Sequence, residues 1–207
     1  MSGLALIDYG AGNLRSVHNA LAAVGAESVA VTDDPDAVRA ADRIILPGVG
    51  AFGAAMVQLR AIPGMVEALD ETVRAGGRPF LGVCVGMQLM AEWGEEHGTH
   101  RGLGWLRGTV APIRPADRRA RVPHMGWNDV APAAPHPLFE PGEAYFLHGY
   151  AFTPEPDAEG CVLAATDHGG PVVAAVGVGS AVGVQFHPEK SQGYGLSFLR
   201  RFLDWRP

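Results

Sequence analysis

The chain has 207 residues, 47% of them hydrophobic and 18% charged, with a formal net charge of -6. That size and apolar content suit one domain with a real core, residues 1–207, and exclude a disordered or supercharged chain. The negative balance argues against nucleic acid as the main partner.

In chain order, 4–7 predicts a buried strand that ends in the glycine-rich turn Asp8-Tyr9-Gly10-Ala11-Gly12-Asn13. Leu14, Val17, His18, Leu21 and Val24 recur at helical spacing, with Gly25 as a helix stop. Further strands are predicted over 28–31, 43–46 and 79–83, with helical segments over 56–59 and 65–73 between them. Such alternation predicts an α/β fold in three layers, a mostly parallel central sheet with helices on both faces. From Trp105 to Gln185 the pattern changes to short strands over 106–113, 144–147, 161–165, 172–176 and 181–185, which predicts an antiparallel extension. The proline-rich stretch 132–141 reads as a surface loop. A helix over 195–205 closes the chain, with Leu196, Leu199, Phe202 and Leu203 on one face.

No apolar run is long enough to cross a membrane and no basic leader precedes the first strand, so the expected setting is reducing and cytoplasmic. Cys84 and Cys161 are then free thiols. Arg114, Arg118, Arg119 and Arg121 read first as a solvated loop, and second as a docking edge for an acidic or phosphorylated partner.

The segment Phe80-Leu81-Gly82-Val83-Cys84-Val85-Gly86-Met87-Gln88 runs from an apolar strand through Gly-x-Cys-x-Gly into a helical pattern. This is the cysteine form of a nucleophile elbow, in which a tight turn exposes the sulfur and aims the first helical amides at whatever it attacks. A buried structural cysteine is the competing reading, and the strand-turn-helix context favours the nucleophile. A thiol nucleophile works with an imidazole that a third group orients. Gln185-Phe186-His187-Pro188-Glu189 offers one: Pro188 biases His187 toward an extended conformation, where Glu189 two residues on can face the same way. Spacing alone leaves this pair level with an ordinary surface turn. The other histidines lack metal-site spacing, so no metal and no cofactor is expected. Finally, Leu46-Pro47-Gly48-Val49-Gly50 sets glycines at the C-terminal end of a strand, where α/β sheets bind ligands. Without the Lys-Ser/Thr ending of a phosphate loop, it reads better as an oxyanion segment, with N–H groups of Val49 or Gly50 joining that of Val85.

These three segments together resemble the class I, triad-type glutamine amidotransferases. Asp8 to Leu14, Pro123-His124-Met125-Gly126-Trp127-Asn128, Tyr145-Phe146-Leu147-His148 and Glu189-Lys190-Ser191-Gln192 extend the resemblance to the glutaminase subunits of imidazole glycerol phosphate synthase in histidine biosynthesis. The resemblance implies Cys84 as nucleophile, His187 as general base and acid, Glu189 as its orienter, and Gly50, Gln88 and Glu96 as contacts for glutamine. Glu95 is an alternative to Glu96, and Gln88 could instead be a helix residue facing solvent. It also implies that Asn13, His124, Trp127, Asn128, Tyr145 and Lys190 lie near a cyclase subunit built as a (β/α)₈ barrel. That subunit would use the ammonia to turn PRFAR into imidazole glycerol phosphate and AICAR. The isolated glutaminase would be slow, because the 48–50 segment can hold its peptide turned away until the partner biases it. Gly149 stands where a small hydroxyl residue is expected, and 91–96 departs from the usual pattern. Rival readings are the same chemistry serving another synthase, a cysteine hydrolase of other substrates, and a non-catalytic assembly subunit.

Overall fold

The computed structural model describes residues 3–117 and 119–207, with only the backbone of Glu159. Arg118 of the arginine cluster, and the first two residues of the leader reading, lie outside the described residues.

Four short parallel strands, β1 (Leu4–Ile7), β2 (Val29–Thr32), β3 (Arg43–Gly48) and β4 (Phe80–Cys84), alternate with helices. These are α1 (Leu14–Ala23), α2 (Pro35–Ala40), α3 (Phe52–Ala61) and α4 (Met65–Leu69), the last continuing as a π-helical turn, Asp70–Ala75. After the one-turn α5 (Val85–Gln88) come β5 (Ala91–Gly94), β6 (His100–Arg101), β7 (Leu106–Pro112), β8 (His124–Pro132), β9 (Gly142–His148) and β10 (Tyr150–Pro154). β11 (Val162–Asp167), β12 (Pro171–Val178), β13 (Ala181–Val184) and α6 (Gln192–Asp204) complete the chain.

The main sheet runs β2-β1-β3-β4-β13-β12-β11-β8-β9. Pairing is parallel from β2 through to β13 and antiparallel from β13 outward to β9. β1, β3, β4 and β13 are buried along their whole length, as expected of strands covered on both faces. Helix α1 packs on α6, and α2 on α4. The antiparallel strands alternate instead: β9 buries Ala144, Phe146 and His148 and turns Glu143 and Leu147 outward. A second sheet, β10-β7-β5-β6, stands beside the first.

Several expectations need correction. The helix over 65–73 changes character at Asp70, where the Thr72 hydroxyl donates to the Ala68 carbonyl at 2.6 Å and competes with the α-helical ladder. The 161–165 strand starts one residue later, after a 3₁₀ turn. The 132–141 loop is not wholly superficial, since Leu138 and Phe139 are buried. β8 escaped prediction because Gly126, Asn128, Asp129 and Pro132 are poor strand formers; seven register pairs with β9 override that preference.

Candidate active site

β4 delivers Cys84 to the middle of the sheet's C-terminal edge with φ 54° and ψ -111°, a conformation that a residue with a Cβ avoids. The surroundings impose it. A Cβ on Gly82 would lie 2.6 Å from the Gly86 carbonyl oxygen, and one on Gly86 only 1.9 Å from the Leu46 oxygen, so strand and helix meet only through two glycines. Cys84 is 4% exposed. α5 is shorter than its pattern suggested, ending at Gln88 before β5 begins at Ala91. Any pull on a negative charge here therefore comes from individual N–H groups and not from a long helix dipole.

The neighbouring strand supplies the partners. Beyond β13, Phe186 is fully buried and packs edge-on against Phe146 and Phe198. In an extended run, that turns Gln185 and His187 the opposite way, toward Cys84. His187 is extended, but Pro188–Lys190 is a 3₁₀ turn. This corrects the expectation of an extended 187–189: the tight turn folds Glu189 back until its Oε1 lies 2.8 Å from His187 Nδ1. Two further bonds seat the ring, from His187 N to the Tyr145 carbonyl at 2.9 Å and from Ser191 Oγ to the His187 carbonyl at 2.6 Å. The side chains of His187 and Glu189 are 3% and 1% exposed. Burial opposes a charge on His187, but hydrogen bonds to Cys84 and Glu189, and their negative charges, prevail and push its pKa up to about 9. At neutral pH the imidazole is therefore a cation flanked by sulfur and carboxylate.

These groups open on a cleft of about 270 Å³, just below the roughly 300–1,000 Å³ common for small-molecule sites. Val49, Gly50 and Val85 line it beside the sulfur. Glu96 lines it too, its Oε2 accepting the Phe52 N–H at 2.8 Å at the start of α3. Glu95 instead lines a separate groove, which decides between the two carboxylates on position. Gln88 is buried, not solvent-facing; its Nε2 donates to the Tyr150 carbonyl at 3.1 Å and to Gln185 Oε1 at 3.0 Å. Gly149 also lines the cleft, and a Cβ there would meet only Val122, at 3.9 Å, so its lack of a side chain leaves open space.

The residues expected near a partner divide between two faces of β8 and β9. Trp127 is exposed, paired in register with Tyr145 and edge-on to its ring, and Lys190 Nζ lies 5.9 Å from the Tyr145 ring centre. Met125 and Leu147 extend this exposed face toward the cleft. His124 is buried on the opposite face, and Asn128 lies on that face too. Asn13 caps α1, accepting the Ser16 N–H at 3.4 Å.

His124 belongs to a hydrogen-bonded relay whose tautomers are fixed by carbonyls at both ends. Asn128 Nδ2 donates to the Asp167 carbonyl at 2.7 Å and to His124 Nε2 at 3.1 Å. His124 Nδ1–H then donates to His148 Nε2 at 3.1 Å, and His148 Nδ1–H to the Tyr150 carbonyl at 2.8 Å. Each ring needs one acceptor nitrogen, so both are neutral. Burial, with neighbouring histidines, lowers the pKa of His124 to about 3 and that of His148 to about 4.

Residues 5–205 match the family profile described as glutamine amidotransferase class-I. The chain belongs to the class-I glutamine amidotransferases. It is 61% identical over 209 residues to the imidazole glycerol phosphate synthase subunit HisH of Zymomonas mobilis, covering 100% of this chain and 97% of that one. The HisH subunit of Rhodopseudomonas palustris is 48% identical, with 99% of each chain covered. The structure of PurLQS from Thermotoga maritima superposes with a TM-score of 0.72 at 20% identity, covering 99% of both chains, and so shares the fold. Against this family background, the groups the sequence reading missed are Gln185 and the relay. Gln185 stands two residues before His187, so alternation along an extended run puts its side chain on the sulfur side as well. Two of the relay's links, His124 to His148 and Asn128 to Asp167, span 24 and 39 residues and left no local pattern.

Arg114, Arg119 and Arg121 are all exposed; Arg119 pairs with Asp117 at 2.9 Å, and the Arg121 carbonyl accepts from His168 Nε2 at 2.7 Å. Both cysteines are free, and burial raises the pKa of Cys161. Among the described residues, no helix is long and apolar enough to cross a membrane.

Proposed function

We propose that this chain is the glutaminase subunit of imidazole glycerol phosphate synthase, with Cys84, His187 and Glu189 as its triad. The observation that carries the reading is the buried line from sulfur through imidazolium to carboxylate, on an elbow that opens into a small cleft. Cys84 thiolate attacks the side-chain amide carbon of glutamine, and the carbonyl electrons move to oxygen. Backbone N–H groups of Val85 and the Val49–Gly50 segment are the candidate donors to that oxyanion. As the tetrahedral centre collapses, the imidazolium of His187 gives its proton to the departing nitrogen, releasing ammonia and leaving a thioester on Cys84. Neutral His187 then takes a proton from water as that water attacks the thioester, expelling thiolate and glutamate. Glu189 holds the ring in the tautomer that presents Nε2 to the sulfur throughout.

In the cleft, Glu96 suits the substrate's ammonium group. Both N–H groups of the Gln88 amide are engaged, so its oxygen is the atom available to substrate, as an acceptor. The partner in this reading is a cyclase subunit, a (β/α)₈ barrel that receives ammonia and converts PRFAR to imidazole glycerol phosphate and AICAR in the cytoplasm. The exposed face of Trp127, Tyr145 and Lys190, with Met125 and Leu147, suits such a contact: an aromatic anchor beside the mouth of the cleft. Asn13 borders that surface in this reading, and Asn128, on the inner face of β8, supports it from behind through its bond to His124. The HisH names of the relatives support the choice of synthase.

The test is glutamate release by the chain with and without the cyclase and its acceptor nucleotide. Cys84→Ala should abolish release while the complex still forms, and wild-type release should rise when the partner is added. Substantial release by Cys84→Ala would refute the nucleophile assignment. Stimulation only by a different synthase partner would refute the pathway.

A further inference from the structure

We propose that Gln185 is a further catalytic residue of the glutaminase site: its side-chain amide donates an N–H to Cys84 and holds the sulfur as thiolate. The inference rests on the reading of Cys84 as nucleophile. Gln185 is fully buried and lies immediately beyond β13, two residues before His187 in the run that turns alternate side chains toward the sulfur. Its Nε2 lies 3.6 Å from Cys84 Sγ, within range of an N–H···S hydrogen bond.

The direction of this bond follows from a backbone atom. The Tyr150 carbonyl oxygen can only accept, so the end of the Gln88 amide 3.1 Å away must be its NH₂ group. The second hydrogen of that group points at Gln185, 3.0 Å distant, which must therefore present its oxygen. The Gln185 NH₂ is left facing the sulfur. Turning Gln185 over would set two NH₂ groups against each other and a carbonyl oxygen against a thiolate. Gln88 thus has two duties, one toward substrate and one as the positioning residue for Gln185.

Burial gives the contact its chemical weight. At 4% exposure Cys84 has little water to solvate a negative charge; the Leu147 carbonyl, 4.0 Å from the sulfur, can only accept, so the donors that replace water are His187 and the Gln185 amide. The amide bond to sulfur is strong while sulfur is a thiolate and weak once it is a thioester. It therefore favours thiolate both as the attacking species and as the leaving group when water cleaves the acyl-enzyme.

The full chain carrying Gln185→Met, close in volume but without a donor, tests the assignment. Alkylation by iodoacetamide is read on the Cys84 peptide, apart from Cys161. The expected result is alkylation about tenfold slower than wild type at pH 7, the scale of one hydrogen bond to a charged group, with the difference narrowing at pH 10, because a donor that acts by favouring thiolate matters less as base becomes more abundant. Glutaminase kcat with the partner present should fall by a similar factor with KM little changed. Equal alkylation at pH 7 would overturn the proposal, and so would a loss that persists undiminished at pH 10, which reports damaged packing. Gln185→Asn, too short to reach both Gln88 and the sulfur, decides the question by the same comparison should the Met variant not fold. Cys84→Ala separates the two readings: if it kept glutaminase activity the nucleophile assignment would fall, whereas the alkylation comparison reads the Gln185 contact by itself.

Discussion

The parallel and antiparallel halves of the main sheet contribute to the same cleft by different means. On the parallel side, β3 and β4 act through backbone: a cysteine forced to positive φ, N–H groups at strand ends, and glycines that let strand and helix touch. From β13 outward, side chains buried in pairs and chains take over, with Gln185, His187 and Glu189 at the seam and Asn128, His124 and His148 behind it. Their electrostatic characters also oppose each other. The seam stabilises a proton on His187, while the relay a few residues away requires its imidazoles to stay neutral. One fold thus holds a charged histidine and neutral ones close together by giving the first the Cys84 and Glu189 contacts and the others burial, uncharged hydrogen-bond partners and, for His148, the repulsion of His187 itself.

The largest test of this division falls on the seam. Glu189→Gln removes the charge that favours the imidazolium and allows the new amide to face Nδ1 with the wrong group. Turnover should fall on the order of 10³–10⁴-fold, the scale seen when a triad carboxylate becomes an amide. The alkaline limb of the pH–rate profile should also move to lower pH, because His187 without the carboxylate gives up its proton more readily than at about 9. An unchanged limb would mean that the Cys84 contact alone sets the pKa. On the parallel side, Gly86→Ala should cost stability and not turnover per folded molecule. Its Cβ would fall 1.9 Å from the Leu46 oxygen, and the forced separation of β3 from α5 should lower unfolding free energy by about 3 kcal/mol or more in urea titrations. A stable, inactive Gly86→Ala protein would show that the turn is adjustable and that its role is chemical.

The same division explains what could be read from the chain. Backbone constraint leaves local signatures, so Gly82, Cys84 and Gly86, and the glycines from Gly48, pointed to the elbow and the oxyanion segment, and β1 to β4 followed from apolar runs. Side-chain networks leave none. Nothing in Pro123-His124-Met125-Gly126-Trp127-Asn128 says that His124 and Trp127 point to opposite sides of a strand until β8 is paired with β9, and that strand hides behind Gly126, Asn128 and Asp129. Glu189 was expected beside His187 for a reason that the 3₁₀ turn replaces. Gln88 was assigned to the cleft by resemblance, but its hold on Gln185 depends on a carbonyl 62 residues away.

The outer face of the antiparallel half should matter for assembly more than for chemistry. Trp127→Ala removes the largest exposed ring beside the cleft, and its paired strand residue Tyr145 loses an edge-on neighbour. Affinity for the cyclase should drop about 30-fold, the scale of an aromatic interface anchor, with monomer stability almost unchanged. His124→Gln, on the inner face, should change affinity far less. Equal losses from both would contradict the separation of the two faces.

The smallest expected effect is the most direct comparison of the two electrostatic settings. His124 and His148 have folded pKa values of about 3 and about 4, below the ordinary 6.5, so the unfolded chain binds more protons than the native one below pH 6.5. Their contribution to stability is complete above that pH and is lost as pH falls toward 4. His187, raised to about 9, has the opposite sign: the native state binds the extra proton between pH 6.5 and 9, and that stabilisation is lost as pH rises through this window. Unfolding free energy from these groups should therefore peak near pH 6.5 and decline on both sides for different reasons. Carboxylates also titrate in acid, so the discriminating measurement is a difference between variants. His124→Gln should flatten the slope from pH 6.5 to 4 and leave the slope from 6.5 to 9 intact, and His187→Gln should do the reverse. A single substitution that flattened both limbs would mean that relay and seam titrate as one unit, joined through the Tyr150 carbonyl and Gln88.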